Sequence, residues 1–345
     1  MKKQIGVVGA SGYTGAELLR LLALHPDFDV TNVTAHSQAG KSVSAIHPHL
    51  AGIYPQLVTE TFDQALGSLL GCDCVFVALP HGESLSVIPL LEKAKRVIDL
   101  GGDFRLRKPE SYQRWYGAPH TAPQLLESFV YGLPELNREQ LCGATRIANP
   151  GCYPTAVSVG VSPLLSHKLV APTVIASCVS GTSGAGKSLK ENMHFSSADE
   201  NVYSYRVGSH QHTPEIEQAL TSVAEVPVRV NFIPHVAPMT RGIHATCVLN
   251  LHDGVSPETV RDAYRESYEH EAFISLLNYP PNTKEVRGTN RVALHVVVDQ
   301  RLNQVVVTSV IDNLVKGAAG QAIQNANICF GYPETRGLEL SAFYP

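Results

Sequence analysis

Short apolar runs punctuated by glycine and proline set the pattern of the first half of the chain. Gln4 to Val8 reads as a strand, Gly9-Ala10-Ser11-Gly12-Tyr13-Thr14-Gly15 as a glycine-rich turn, and Ala16-Glu17-Leu18-Leu19-Arg20-Leu21-Leu22 as an amphipathic helix ending near His25-Pro26. Asp29 to Thr34 follows as a second strand, so the chain opens with a βαβ unit. Val75 to Leu79 and Arg96 to Leu100 are further buried-strand runs. They lead into the loops Pro80-His81-Gly82-Glu83-Ser84 and Gly101-Gly102-Asp103-Phe104-Arg105, and open α/β sheets bind ligands at such strand ends. Later the pattern changes. Val226 to Phe232, His244 to Leu251, Arg291 to Val298 and Gln304 to Ile311 suggest a mixed or antiparallel sheet packed on a helix over Glu258 to Tyr268. A last, alanine-rich helix starts within Asp312-Asn313-Leu314-Val315-Lys316-Gly317-Ala318-Ala319, where small residues permit close packing against the first domain.

The opening turn carries chemistry. A strand, a glycine-rich turn and a helix N-terminus place backbone N–H groups against a pyrophosphate, which makes Gly9, Ser11, Gly12, Tyr13, Thr14 and Gly15 candidate cofactor contacts. The spacing is G-x-x-G-x-x-G, so the context strengthens the motif more than the glycines do. An NAD site places an acid at the end of the second strand to hold the ribose 2′-hydroxyl. Here the chain runs Ala35-His36-Ser37-Gln38-Ala39-Gly40-Lys41, and Ser37, Gln38 and Lys41 suit an added phosphate. The expected cofactor is therefore NADP, with Pro80 lining the same site. Arg105 can hold a substrate phosphate through paired hydrogen bonds or form a surface salt bridge with Asp103.

Asn149-Pro150-Gly151-Cys152-Tyr153-Pro154-Thr155 sets one cysteine where a short strand (144–148) gives way to a helix. A thiol there lies near the positive end of a helix dipole and beside unpaired N–H groups, which favour thiolate and can hold an oxyanion. The dipole supplies only about 0.3–2 kcal/mol, so a partner base is expected. His210 and His212, in Gly208-Ser209-His210-Gln211-His212-Thr213-Pro214-Glu215, are the titratable candidates. Thr213 reads as the helix cap, and Glu215 is placed to orient a histidine. An H-x-H pair can also bind zinc, but no third and fourth ligand accompanies it, and no metal is expected. His47-Pro48-His49 has the same form and reads as surface.

A length of 345 residues suits two domains. A net charge of −4 gives no pull toward nucleic acid or anionic membrane, and no apolar run is long enough to span a bilayer. Seven scattered cysteines without a disulfide framework favour a reducing cytoplasm, with Cys72, Cys74, Cys178, Cys247 and Cys329 read as core thiols. One motif competes. Gly181-Thr182-Ser183-Gly184-Ala185-Gly186-Lys187-Ser188 matches a P-loop in full after an apolar strand (Val174 to Val179), and Val296-Val297-Val298-Asp299 could pass for the acidic strand of an ATPase. That reading leaves Cys152 idle, so a glycine loop passing close to a flat ligand is preferred.

Taken together, Gly-Ala-Ser-Gly-Tyr-Thr-Gly, Asn-Pro-Gly-Cys-Tyr-Pro-Thr, Ser-Gly-Thr-Ser-Gly-Ala-Gly-Lys, His-Gln-His-Thr-Pro-Glu-Ile and Asp-Asn-Leu-Val-Lys-Gly-Ala-Ala resemble the N-acetyl-gamma-glutamyl-phosphate reductases of arginine biosynthesis, relatives of aspartate-semialdehyde dehydrogenases. The resemblance runs over essentially the whole chain. It implies an α/β fold: a Rossmann-type NADP domain over 1–150, completed by a C-terminal helix within 313–345, and an α+β catalytic and dimerisation domain over 151–312. It implies Cys152 as nucleophile, the histidine segment as base, Gly184 and Asn313 beside the nicotinamide, Asn149 and Ser180 on the substrate side, a small acyl-phosphate substrate and a homodimer or homotetramer. Where the family often has arginine between the two histidines, this chain has Gln211. The implied reaction reduces N-acetyl-glutamyl 5-phosphate through a cysteine thioester; an aminoadipyl-type phosphate of lysine biosynthesis is the nearest alternative substrate. A cysteine hydrolase would not need Gly9 to Gly15, and a non-catalytic NADP sensor would not need Cys152.

Overall fold

A computed structural model describes residues 1–344. The chain divides into two compact units, one of residues 1–150 and 318–339, the other of 151–317 and 340–344. The segment that returns to the first unit is thus 318–339, shorter at both ends than 313–345.

In the first unit β1 (Lys3–Val8), β2 (Phe28–Thr34), β3 (Cys74–Val77), β4 (Val97–Asp99), β5 (Val130–Tyr131) and β6 (Arg146–Ala148) form a sheet in the order β2-β1-β3-β4-β6-β5. Every pairing in it is parallel. Strands buried on both faces need apolar residues throughout, and β3 (Cys-Val-Phe-Val) is buried at every position. The Tyr13–Leu22 helix follows β1, so Tyr13 and Thr14 already belong to its first turn.

The Gly320–Phe330 helix packs against the Tyr13–Leu22 and Pro134–Leu141 helices of this unit. It is buried all round yet carries Gln321, Gln324, Asn325 and Asn327, each fully buried. Buried amides must find partners. Asn325 Nδ2 donates to Gly132 O (2.8 Å) and Asn149 Oδ1 (3.0 Å), and Asn327 Nδ2 donates to the carbonyls of Glu334 (3.1 Å) and Arg336 (2.9 Å).

Asn327 Oδ1 also meets His25 Nε2 at 3.0 Å, while His25 Nδ1 accepts the Asp27 N–H at 3.2 Å. This pair of bonds suits a neutral imidazole with its proton on Nε2. Burial lowers the His25 pKa below 6.5, and it does the same to His120 and His244. Burial raises Asp99, fully enclosed, to about 7. Unfolding near pH 6 lets three imidazoles take up protons and one carboxyl release one, so the two kinds of group act on stability in opposite directions. The histidine contribution is present above 6.5 and is lost as pH falls through the folded values. We expect the native chain to lose more of its urea midpoint between about pH 7 and about pH 5.5 than a His25→Gln variant does. An equal loss in the two chains would remove His25 from the pH dependence.

In the second unit β7 (Thr173–Ser180), β8 (Tyr203–Ser204), β9 (Arg229–Val236), β10 (Ile243–Asn250), β11 (Ile274–Leu276), β12 (Val292–Asp299) and β13 (Gln304–Ile311) form a mixed sheet in the order β11-β12-β13-β10-β7-β9-β8. β7 pairs with β9, and β11 with β12, in parallel; the other neighbours are antiparallel. The Cys152–Ser166 helix packs on β10 and β13 and against the His212–Ala224 and Pro257–Tyr268 helices. Tyr264 and Tyr268 of the last donate to the carbonyls of Gly160 and Val159, both at 2.6 Å. The alternation of β7, exposed at Thr173 and Ile175 and buried at Val174 and Ala176, shows that only one face of the sheet is fully covered.

Candidate active site

The glycines of the opening turn divide the work of a dinucleotide cradle. Gly9 has φ +83°, and a Cβ on it would lie 2.4 Å from the Ala78 carbonyl oxygen. Gly15 packs its helix on β1 so closely that a Cβ would lie 2.5 Å from Gly9 O. Gly12, the N-cap of the Tyr13–Leu22 helix, has nothing nearer than 3.8 Å around the same position, so the helix N-terminus opens onto free space. These are the tight turn, the close packing and the open approach that a pyrophosphate site requires, and the residues fit a bound dinucleotide. His47 completes the turn. The surface reading of this histidine is corrected: it is buried, and Nε2 donates to Ala10 O at 2.8 Å.

Beyond β2, Ser37 and Lys41 are exposed and Gln38 half-buried. Their loop is held by Thr59, whose hydroxyl donates to the carbonyls of Gln38 (2.7 Å) and Lys41 (3.0 Å). No acidic side chain stands between Thr34 and Lys41.

Pro80 lies in the loop after β3, which the Asp103 carboxylate gathers by accepting the Gly82 N–H at 2.8 and 2.9 Å. Asp103 also accepts the Tyr112 hydroxyl at 2.9 Å. Arg105 is 6 % exposed, donating from Nε to Asn149 O and from a terminal nitrogen to Leu100 O, both at 2.8 Å. It is therefore no surface ion pair; these bonds tie the ends of β4 and β6 together. Asn149 is equally committed, with its N–H on Asp99 O (2.8 Å) and its Nδ2 on Ala318 O (3.1 Å).

In the second unit Cys152 is the first residue of a fifteen-residue helix, with Gly151 as N-cap in extended conformation. Cys152 is half-buried, whereas Cys72, Cys74, Cys178, Cys247 and Cys329 are buried and burial pushes their thiols up. Glu215, fully buried, accepts the Gly151 N–H at 2.8 Å. This bond fixes the turn that delivers the cysteine. Gly317 lies on the other side, since a Cβ on it would sit 2.6 Å from Cys152 Cβ.

His210 and His212 are both buried, their rings 4.8 Å apart and each 5.9 Å from the Tyr153 ring. His212 opens its helix, and its N–H donates to His210 Nδ1 at 3.1 Å. His210 therefore supplies the cap assigned to Thr213, which lies inside the helix. The Tyr153 hydroxyl donates to His235 O at 3.0 Å, and Tyr205, pushed up to about 12 mainly by burial, donates to the Tyr153 hydroxyl at 3.4 Å.

The P-loop match does not fold as one. Thr182–Ala185 is a 3₁₀ turn, and Gly186 at φ +79° leads into irregular chain where a P-loop needs a helix. Val296 to Asp299 lies in β12, between β11 and β13 and away from β7. Ser180, at the end of β7, donates to Gly181 O (3.0 Å), and a Cβ on Gly184 would lie 2.9 Å from its hydroxyl. Asn313 reaches the same loop, donating to Ser183 Oγ at 3.0 Å and accepting the Gly242 N–H at 2.8 Å.

Comparison with known proteins fits this arrangement. Residues 4–144 match the family model of the semialdehyde dehydrogenase NAD binding domain, and residues 152–313 that of the semialdehyde dehydrogenase dimerisation domain. The N-acetyl-gamma-glutamyl-phosphate reductase of Desulforamulus reducens is 46% identical over 99% of both chains, and that of Symbiobacterium thermophilum 47% identical over 98% of both. The chain belongs to the N-acetyl-gamma-glutamyl-phosphate reductase family. Among solved structures, aspartate semialdehyde dehydrogenase II of Vibrio cholerae shares the fold with a TM-score of 0.75 at 16% identity, covering 96% of this chain and 99% of that one. The aspartate semialdehyde dehydrogenase of Candida albicans, solved with NADP, gives 0.70 at 20% identity, covering 95% and 98%. This reductase is thus an oxidoreductase with an NAD(P)-binding domain and a dimerisation domain. Among the described residues no helix is long and apolar enough to cross a membrane.

Proposed function

We propose that the chain reduces N-acetyl-glutamyl 5-phosphate to N-acetyl-glutamate 5-semialdehyde and phosphate, using NADPH and a thioester on Cys152. The observation that carries this is the position of Cys152, half-buried at the start of a helix while five other thiols are buried. Thiolate at Cys152 attacks the acyl carbon, the bond from that carbon to the phosphate oxygen breaks, and an acyl-cysteine remains. The N–H groups that open the Cys152 helix would hold the oxyanion. His210 Nδ1 is occupied by the His212 N–H, which puts the proton of neutral His210 on Nε2. That leaves His212 as the base that takes the thiol proton and later returns one to sulfur. Glu215 keeps the Gly151 turn in place throughout. NADPH, held by Gly9 to Gly15 and Pro80, would supply the hydride that converts the thioester to aldehyde; the family resemblance assigns Gly184 and Asn313 to its nicotinamide end. The absence of an acid after β2, with Ser37, Gln38 and Lys41 in its place, favours NADP over NAD. Arg105, Asn149 and Ser180 support the substrate side chiefly by fixing backbone.

The second copy of this chain is the expected partner, as a homodimer or a pair of dimers. Val297, Val306, Val248 and Ile175 lie side by side across β12, β13, β10 and β7, and Val297 and Ile175 are 46% and 44% exposed. An apolar row on the less covered sheet face, within a region matching a dimerisation domain, suits burial against another copy. The buried reduced thiols fit a cytoplasmic enzyme.

The direct assay runs the reaction in reverse, following phosphate-dependent NADPH formation from N-acetyl-glutamate 5-semialdehyde, from the aminoadipate-type semialdehyde one methylene longer, and with NAD in place of NADP. We expect the shorter substrate and NADP to be preferred. Lys41→Ala should lower kcat/KM for NADP about tenfold with little change for NAD. Equal efficiency with both dinucleotides would refute the phosphate role of this loop.

A further inference from the structure

We infer that Asp312 is a positioning residue for Cys152, acting through Gly317; the inference rests on Cys152 being the nucleophile. Asp312 is fully buried at the end of β13. Its Oδ1 accepts the N–H groups of Leu314 (2.8 Å) and Val315 (3.2 Å). Its Oδ2 accepts the Gly288 N–H (2.7 Å) and lies 3.5 Å from the Arg241 guanidinium. The Asp312 carbonyl accepts the Gly317 N–H at 3.0 Å, five residues on, within the π-helical turn Val315–Ala319.

A π turn carries one residue more than an α turn, and the surplus bulges outward. Here the bulge presents Gly317. A Cβ at that position would come within 2.6 Å of Cys152 Cβ and 3.1 Å of its Cα, so only glycine fits against the cysteine. A carboxylate-held turn therefore stands on each side of Cys152. Glu215 holds the Gly151 N–H before it, and the Asp312 carboxylate holds Leu314 and Val315 at the start of the turn that carries Gly317. The neighbouring Asn313 turns the other way, to Ser183 and Gly242, so consecutive side chains secure the thiol and the glycine loop. Neither Asp312 nor Arg241 needs to touch substrate for this. They set where the sulfur points when the acyl carbon arrives.

The test uses the full-length enzyme with Asp312→Asn, which replaces one acceptor oxygen by a donor facing N–H groups, and Gly317→Ala. We expect each to lower kcat at least about tenfold, since small displacements of a reacting group carry large rate penalties. KM for the acyl phosphate and affinity for NADP should stay near native values. The pH profile of Cys152 alkylation by iodoacetamide, read from the mass of the Cys152 peptide, should be displaced, a change that loss of stability alone does not produce. Arg241→Met, on a partly exposed side chain, should act in the same direction with smaller effect, and it decides the matter if the buried variants fail to fold. Folded variants with native kcat and native alkylation profile would overturn the inference. If Cys152→Ser abolishes turnover while these variants behave as native, only the role of Asp312 falls. If Cys152→Ser retains turnover, the reaction proposed above falls with it.

Discussion

Cys152→Ser should bind NADP with native affinity and lose turnover by about a thousandfold or more. Ser and Cys differ little in volume, and the residue is half-buried, so the fold should survive. The chemistry should not. A hydroxyl gives up its proton far less readily than a thiol, and the helix N-terminus contributes at most about 2 kcal/mol, too little to close that gap. The oxygen ester that would form is also a poorer hydride acceptor than a thioester. Steady-state rates with the acyl phosphate, set beside a fluorescence titration with NADPH, check both halves. The contrast is Cys178→Ser or Cys247→Ser, where the thiol is wholly enclosed and the expected cost is stability, with kcat preserved in the folded fraction.

Gly12→Ala and Gly15→Ala should separate binding from folding. At Gly12 a methyl group meets no protein atom within 3.8 Å, so melting should be native. The methyl occupies the space through which a pyrophosphate would approach, and NADP affinity should fall by about a hundredfold, near 2.7 kcal/mol. At Gly15 the methyl would lie 2.5 Å from Gly9 O and 2.7 Å from Ala10 Cα, backbone atoms with nowhere to go. That variant should lose about 1–3 kcal/mol of stability as well as cofactor affinity. Calorimetric melting and NADP titration on the same samples give the split. If Gly12→Ala bound NADP as tightly as the native chain, the turn would not be the pyrophosphate site.

Much of this was legible along the chain because the relevant signals are local. Strand, turn and helix around Gly9 to Gly15 and around Cys152 follow from apolar runs, glycines and a proline a few residues apart. Where sequence reasoning went astray, the deciding partner was distant. His47 reads as a surface residue until β2 and its loop bring it under Ala10, 37 positions away in sequence. Glu215 closes on Gly151, 64 positions away, a contact that its helix-start neighbours do not announce. Thr213 has the right chemistry for a cap, but His210 gets there first. Gly317 looked like one small residue among several in an alanine-rich start, and no local pattern marks it as the one against Cys152. The P-loop match failed for the opposite reason: the local string is complete, but the helix that gives it meaning is missing.

The way the polypeptide threads its two bodies has a consequence for synthesis. The segment 318–339 seats buried amides, and Asn325 satisfies Gly132 O and Asn149 Oδ1 inside a unit whose strands all precede residue 150. A ribosome emits those strands long before it makes Asn325, and until then the sheet lacks a wall and two of its acceptors lack donors. The amino-terminal body is therefore completed only near the end of synthesis, although it is the first to be begun.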